Sequence, residues 1–234
     1  MDLGLKDKVA IVTGSARGIG AETARALAEE GARIVVTDID AQVASEHCAA
    51  LQRDGFRAIS VAADVTQAAD VERLVQAAVA AFGSVHVLVN NAGFARDARI
   101  VKLSEADWDA VVDTVLKGAF LCTKAVAPVM AAQHWGRVVN ISSRAHLGNP
   151  GQANYSAAKA GLLGFSAALA LVLGRDGITV NSIAPGFVET DGVRKLPHYQ
   201  KIKDNAIART PIGRLGVPRD IAAAVAFLAS EAAG

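Results

Sequence analysis

Short runs of β-branched residues alternate with longer alanine-rich segments along the chain, and this alternation allows few architectures. The runs are apolar at consecutive positions, as strands are when helices cover both faces of a parallel sheet. They occupy residues 9–14, 33–38, 57–64, 85–91, 136–142 and 178–185. Strands joined by helical crossovers predict an α/β fold, a doubly wound parallel sheet with helices on both faces.

The composition argues against several classes of protein. The 24 lysines and arginines nearly balance the 23 aspartates and glutamates, so no basic surface favours nucleic acid or an anionic membrane. The longest uncharged apolar stretch, 160–174, is shorter than the roughly 18–20 residues that a bilayer requires. Two cysteines, Cys48 and Cys122, are typical of a reduced compartment. We therefore expect one cytoplasmic domain, residues 1–234, with no nucleic-acid or membrane partner.

A glycine-rich turn, T-G-S-A-R-G-I-G at Thr13–Gly20, follows the first run and opens a helical segment. Glycines there permit a tight turn and close approach to a pyrophosphate, which then lies at the helix N-terminus. Asp38 ends the second run, where a carboxylate can accept hydrogen bonds from the ribose hydroxyls. Alternatively, Asp38 caps the helix that begins near Ala41. The strand, turn and helix together favour a single Rossmann-type dinucleotide-binding sheet.

Tyr155 and Lys159 stand one helical turn apart in the apolar segment N-Y-S-A-A-K-A-G-L-L-G-F. A free phenol has a pKa near 10 and is a poor base at neutral pH. A neighbouring ammonium would stabilise the phenolate and lower the pKa of Tyr155. A stabilisation of about 4 kcal/mol corresponds to a pKa lowered by about three units. The alternative is a tyrosine packed in the core beside a lysine whose head group reaches solvent.

Three motifs in this order resemble the short-chain dehydrogenase/reductase family. They are T-G-x-x-x-G-x-G, then N-N-A-G at residues 90–93, then Y-x-x-x-K downstream of serines, and the 3-oxoacyl-carrier-protein reductase-like branch is the most similar. The similarity runs in register from about Leu5 to the end of the chain. It implies an NAD(H)-dependent oxidoreductase that interconverts a secondary alcohol and a ketone by hydride transfer.

The resemblance implies catalytic roles for three residues. Tyr155 would be the general acid and base, and Lys159 would also hold the nicotinamide ribose. A serine would hydrogen-bond the substrate oxygen: the family's usual spacing to the tyrosine gives Ser142, whereas aligning the strand ends gives Ser143. A deletion is easier in a loop than a slip in a strand, so we choose Ser143 and keep Ser142 as the alternative.

The resemblance also implies which residues bind the cofactor. They are Gly14, Ser15, Arg17, Gly18, Ile19, Gly20, Asp38, Asp64, Val65, Asn91, Ala92, Gly93, Tyr155, Lys159, Pro185, Gly186, Val188 and Thr190. We expect NAD over NADP, because Asp38 would repel a 2′-phosphate more than exposed Arg17 would attract it; exposed ion pairs contribute only about 0–1 kcal/mol. His146 and His198 have no partners at metal-ligand spacing, so we expect no metal.

The chain departs from the family pattern in two places. Val115 stands where the family has an asparagine whose backbone carbonyl holds a proton-relay water and whose side chain supports a distorted helix. Valine favours a regular helix, so we expect the distortion to be lost and turnover to be slowed. The alternative function is therefore a nucleotide-binding, catalytically impaired structural or regulatory homologue. The sequence also stops at S-E-A-A-G, before the family's final strand, through truncation or loss of that edge.

Two further expectations concern the substrate and the assembly. Residues from about 187 to 210 become polar where the family has a mobile substrate lid over a small ketone or alcohol. The segments near 108–131 and 153–174 carry more apolar surface than one sheet face can cover. We therefore expect a homodimer through these helices, or a homotetramer if the final strand exists.

Overall fold

Six parallel strands form one sheet in the computed structural model, which describes residues 2–234. They are Val9–Thr13 (β1), Arg33–Asp38 (β2), Ala58–Ala62 (β3), Val87–Asn90 (β4), Gly136–Ile141 (β5) and Ile178–Ile183 (β6). Their order is β3-β2-β1-β4-β5-β6, so the chain reverses its direction of travel across the sheet between β1 and β4. The predicted doubly wound sheet is confirmed, and ligands of such sheets bind where that reversal opens a crevice.

Within residues 2–234, nine α-helices connect and cover the strands. They are Gly18–Glu29 (α1), Ala41–Arg53 (α2), Ala68–Phe82 (α3), Glu105–Val112 (α4), Gly118–Ala132 (α5), Ala153–Leu173 (α6), Asp191–Arg194 (α7), Tyr199–Ala208 (α8) and Pro218–Leu228 (α9). A π-helical turn, Asp113–Lys117, joins α4 to α5. Short 3-10 turns occupy Ile100–Lys102, Arg144–Leu147, Gly174–Asp176 and Glu231–Ala233.

Two apolar layers hold the helices on the sheet. One face packs against α1, α2 and α9, through buried side chains such as Leu27, Leu51 and Val225. The other face packs against α3, α5 and α6, with Leu74 and Met130 fully buried. Because helices cover both faces, β1 and β4 are buried along their whole length, which explains their unbroken apolar sequence.

The helix boundaries follow local sequence signals. Gly83 ends α3 in the left-handed conformation, with φ 87°, which a glycine adopts without strain. The Ser104 hydroxyl accepts a hydrogen bond from the backbone N–H of Asp107 and so caps α4.

Two helical stretches, Glu105–Ala132 and Ala153–Asp176, are long and apolar enough to cross a membrane by length and composition alone. Core helices of water-soluble proteins have the same composition. In this fold α5 and α6 lie against the sheet, and β6 packs beneath α6. This packing accounts for part of their apolarity, and the rest lies in exposed side chains such as Phe120 on α5 and Leu171 on α6.

Candidate active site

The glycine-rich turn has the shape that a pyrophosphate site requires. Gly14 and Gly18 adopt positive φ angles of 61° and 58°, and α1 begins at Gly18. A Cβ on Gly20 would overlap the Gly14 carbonyl oxygen, so glycine is needed there for the turn to close against the helix. The N-terminal N–H groups of α1 therefore face a bare backbone cradle, and this cradle fits the diphosphate of a dinucleotide.

Asn91 fastens this turn to the neighbouring strand. Its amide donates hydrogen bonds to the carbonyl oxygens of Thr13 (2.9 Å) and Gly14 (3.0 Å). In return, the Thr13 hydroxyl accepts hydrogen bonds from the backbone N–H groups of Asn91 and Ala92, each at 3.0 Å. The side chain of Asn91 is thus committed to the scaffold, as is the Ser15 hydroxyl, which bonds the backbone of Thr37.

Asp38 lies at the carboxyl end of β2 and is not the cap of α2. Asp40 caps that helix by accepting a hydrogen bond from the backbone N–H of Val43. Asp38 instead accepts hydrogen bonds from the backbone N–H groups of Ala16 (3.3 Å) and Asp40 (3.2 Å) and borders the cavity. The Arg17 guanidinium, 72% exposed, pairs with Asp40 at 3.2 Å. The helix-cap alternative for Asp38 is therefore wrong.

One large cavity of about 1310 Å³ opens along the carboxyl ends of the strands. The sequence-predicted residues that line it are Gly14, Arg17, Ile19, Asp38, Asp64, Val65, Asn91, Ala92, Gly93, Ser142, Ser143, Tyr155, Lys159, Pro185, Gly186, Val188 and Thr190. Ser15, Gly18 and Gly20 are not among the lining residues and shape the turn behind it. The volume is ample for a dinucleotide together with a small substrate.

The two candidate serines have different surroundings. Ser142 is buried, and its hydroxyl donates a hydrogen bond of 2.7 Å to the backbone carbonyl of Lys159. Ser143 is partly exposed at the start of the 3-10 turn and lies close enough to Tyr155 to lower the pKa of the phenol. The Ser142 hydroxyl thus joins β5 to α6, whereas the Ser143 hydroxyl lies beside Tyr155 and accepts a hydrogen bond from the backbone N–H of Ala145.

Tyr155 and Lys159 lie on the same face of α6, but their electrostatics differ from the expectation. Burial raises the pKa of Tyr155; the Ser143 hydroxyl lowers it in part, and the Asp97 carboxylate raises it further. The expectation that Lys159 lowers the pKa of Tyr155 is wrong for this structure. The Nζ of Lys159 lies 5.4 Å from the centre of the phenol ring and donates a hydrogen bond of 2.5 Å to the Ile141 carbonyl. Lys159 is only 3% exposed, and burial lowers its own pKa to about 8.

The helix around Val115 is distorted, contrary to the expectation of a regular helix. The π turn spans Asp113–Lys117, and the backbone N–H of Gly118 bonds the carbonyl of Asp113 five residues earlier. Val115 is buried among Val111 and Ala158, so packing holds the distortion without an amide side chain. The preference of valine for a regular helix is overridden by this tertiary packing. The local geometry thus gives no support to the catalytically impaired alternative.

A carboxylate that the sequence analysis overlooked holds the two helices of the proposed lid. Glu189 accepts hydrogen bonds from Arg194 on α7 (3.0 Å), Lys203 on α8 (2.9 Å) and the Tyr199 hydroxyl. These donors lower the pKa of Glu189 to about 2. The four-residue spacing of Tyr199 and Lys203 places both on one helix face, and this spacing could have indicated a shared partner.

A second overlooked carboxylate, Asp97, borders the cavity near Tyr155. Both of its oxygens accept hydrogen bonds of 3.1 Å from the side-chain amide of Gln152. The backbone N–H of Ala98 also bonds the carbonyl of Gly151 at 2.8 Å. The loop after β4 is thereby clamped to the loop that precedes α6, and this clamp sets one side of the cavity mouth.

Comparisons with known proteins agree with this geometry. A family model described as "Enoyl-(Acyl carrier protein) reductase" matches residues 14–234. The chain is 45% identical over 232 residues to the (2S)-[(R)-hydroxy(phenyl)methyl]succinyl-CoA dehydrogenase subunit BbsD of Thauera aromatica, covering 99% of this chain and 93% of that protein. It is 44% identical to the 3-oxoacyl-[acyl-carrier-protein] reductase of a Synechocystis species, covering 98% and 92%.

A solved structure has the same fold as this chain. The crystal structure of gox2181 superposes with a TM-score of 0.95 at 36% identity, covering 99% of this chain and 92% of that one. At this level of similarity the arrangement of strands and helices is shared across nearly the whole chain.

Proposed function

This chain belongs to the short-chain dehydrogenase/reductase family of oxidoreductases, and we propose that it reduces a ketone to a secondary alcohol, and the reverse, with NAD(H). The substrate class is a 3-oxoacyl thioester or a close relative, the chemistry that the names of the similar proteins describe. The observation that carries the proposal is the meeting of Ser143, Tyr155 and buried Lys159 at one end of a cavity whose other end is the glycine-rich turn.

Tyr155 is the general acid and base in this proposal. A bound nicotinamide dinucleotide supplies the hydride acceptor or donor. Because burial and Asp97 keep the phenol protonated, its Oη can donate a proton to the substrate oxygen as the carbonyl is reduced. The Ser143 hydroxyl donates a hydrogen bond to the same oxygen and holds it beside Tyr155. Lys159 is mostly protonated below its pKa of about 8, and its Nζ lies 5.4 Å from the centre of the phenol ring.

The dinucleotide would lie along the carboxyl ends of the strands. The turn from Gly14 to Gly20 would hold the diphosphate, and Asp38 the adenosine ribose. Asp64 and Val65 would border the adenine, and Asn91 to Gly93 the nicotinamide ribose together with Lys159. The segment from Pro185 to Thr190 would contact the carboxamide. Residues 187–210 would form the lid of a single domain.

NAD(H) is the proposed cofactor because of the charges at the end of β2. Asp38 borders the cavity, whereas the Arg17 guanidinium, which could attract a 2′-phosphate, pairs with Asp40. We expect NADH to bind more tightly than NADPH in a fluorescence titration. The Asp38→Ser variant should show a smaller difference between the dissociation constants of the two cofactors. Equal or tighter binding of NADPH by the unaltered protein would show that Arg17 decides the preference.

The central test is reduction of a panel of ketones and 3-oxoacyl thioesters, followed by loss of NADH absorbance. We expect turnover of at least one 3-oxoacyl thioester, and Tyr155→Phe should reduce kcat by about 10²–10⁴-fold, the usual contribution of acid–base catalysis. The same variant should bind NADH as tightly as the unaltered protein, since the phenol oxygen alone is removed. Turnover that survives in Tyr155→Phe would refute the assignment.

We further propose a cytoplasmic homodimer or homotetramer. Both cysteines are buried free thiols, which suits a reducing compartment. Phe120 on α5 and Leu171 and Val172 on α6 are exposed apolar side chains on the helices that the sequence predicts to meet across a two-fold axis.

A further inference from the structure

Two arginines border the substrate end of the cavity, one in the turn after β5 and one in the proposed lid. Arg144 directly follows Ser143 and begins the 3-10 turn after β5, where its backbone N–H bonds the Pro185 carbonyl at 2.8 Å. Arg209 follows the last residue of α8, in the proposed lid, and lines the same cavity. Guanidinium groups stay protonated at any physiological pH, so each arginine brings a fixed positive charge to the cavity lining.

Neither guanidinium has a partner within residues 2–234. Neighbouring arginines are paired: Arg96 with Asp107, Arg194 with Glu189 and Arg214 with Asp220. Arg144 and Arg209 form no ion pair and no side-chain hydrogen bond with the described part of the chain. Each therefore retains five N–H donors in the planar arrangement that matches a carboxylate.

The other charges at this end of the cavity do not neutralise the two arginines. Asp97, whose oxygens bond the neutral amide of Gln152, is the acidic lining residue beside Tyr155, and it supplies one negative charge against the two guanidiniums. The remaining acidic lining residues, Asp38 and Asp64, lie at the ends of β2 and β3, at the dinucleotide end. The substrate end is thus positively charged overall, with Phe94, Leu196 and Ile202 supplying apolar walls.

We propose that Arg144 and Arg209 bind a carboxylate on the substrate, so that the preferred substrate is a 3-oxoacyl thioester whose acyl chain bears a second, anionic carboxylate. The proposal rests on the proposed function of the same cavity. Arg144 is adjacent to Ser143, which would hold the reacting oxygen, so the carboxylate lies within one side chain's reach of the carbonyl that is reduced. Arg209 lines the same cavity and supplies the second guanidinium.

The test compares two thioesters that differ only in this charge. N-acetylcysteamine thioesters of a 3-oxo monocarboxylic acid and of the 3-oxo dicarboxylic acid of similar length carry no phosphate. We expect the unaltered protein to favour the dicarboxylic substrate by at least about ten-fold in kcat/KM, the effect of one charge-assisted hydrogen bond. Arg144→Gln and Arg209→Gln should each reduce this ratio by about ten-fold.

Arg175→Gln is the matched control. Arg175 is also exposed and has no partner in the described chain, but it lies in the 3-10 turn after α6 and does not line the cavity. We expect this variant to keep the ratio of the unaltered protein. A ratio near one in the unaltered protein, or a ratio that neither cavity variant changes, would overturn the proposal.

Two further measurements distinguish a wrong carboxylate proposal from a wrong proposed function. If the losses in Arg144→Gln and Arg209→Gln appear only with coenzyme A thioesters, whatever the acyl chain, the anion is the carrier's phosphate and the carboxylate proposal is wrong. Calorimetric titration with the 3-hydroxy dicarboxylic thioester measures binding without turnover, and weaker binding by both cavity variants would support the proposal. Reduction of the neutral thioester with a ratio near one would refute only the carboxylate site, whereas no reduction of any ketone would refute the proposed function.

Discussion

Lys159 shows how one buried group connects chemistry with stability at the residue scale. Its pKa falls from 10.5 to about 8 because burial disfavours the ammonium. A lysine whose pKa is lower in the folded protein destabilises it below the folded pKa, and this cost disappears as the pH rises toward the unfolded value. The relevant window is therefore about pH 8 to 10.5.

Removing this lysine should reveal the effect. We expect the free energy of unfolding of the unaltered protein, measured relative to Lys159→Met, to rise by roughly 2 kcal/mol between pH 7 and pH 10. Urea unfolding at both values of pH measures it, and the control is Lys124→Met, which changes an exposed lysine on α5. If the difference in free energy of unfolding between the unaltered protein and Lys159→Met stayed constant with pH, the pKa of Lys159 would not be lowered by folding.

Val115 is the residue at which the sequence-based expectation and the structure differ most. Because the π turn is present and Val115 lies in an apolar cluster, Val115→Asn would bury an amide among aliphatic side chains. We expect this variant to unfold at lower denaturant concentration, with a loss of about 1–3 kcal/mol, and its kcat not to increase. Val115→Thr, of nearly the same shape, should be closer to the unaltered protein. A ten-fold gain in kcat for Val115→Asn would instead restore the impaired-relay hypothesis.

At the scale of single elements, Glu189 joins α7 and α8, the two helices of the proposed lid. Its carboxylate joins α7 and α8 to the segment that follows β6, and its backbone N–H bonds the Gly216 carbonyl at 2.8 Å. Glu189→Gln keeps the size of the side chain but removes the charge that the two cations require. We expect several-fold faster amide exchange in residues 191–208 and a higher KM for the ketone, with the thermal midpoint little changed.

Glu29→Gln is the matched control for the lid variant. Glu29 pairs with Arg219 at 2.6 Å, far from the cavity, so it tests the loss of an ion pair without the loss of the lid contact. Exchange in residues 191–208 should be unaffected by this change. If residues 191–208 were equally protected from amide exchange in both variants, the Glu189 contacts would not be what stabilises this segment.

The sequence was sufficient for the strands and the turn but not for these side-chain networks. Periodicity located β2 and β5 to within one residue, because consecutive buried β-branched residues leave few alternatives. The partners of Glu189 could not be predicted, because they depend on how two short helices fold back over the cavity. The pKa of Tyr155 was misjudged because spacing along a helix does not tell where an ammonium points, and Lys159 bonds the Ile141 carbonyl.

At the scale of the whole molecule, α5 and α6 carry apolar side chains that are exposed in the single subunit. Leu171 is 84% exposed, and the neighbouring Val172 is 65% exposed. We expect a dimer or tetramer by light scattering at micromolar concentration, and Leu171→Asp should shift it toward smaller species without unfolding the subunit, because the site is exposed in the subunit. A monomer at that concentration would rule out this assembly.

The bonds between Asn91 and the turn at Thr13–Gly14 have a consequence for the order of assembly during folding. They join positions 78 and 77 residues apart in sequence, so the floor of the dinucleotide site cannot close until β4 has docked beside β1. Contacts of such long separation form late, after local helices have appeared. Recovery of NADH binding during refolding should therefore lag behind recovery of helical circular dichroism, and would report when the two halves of the sheet join.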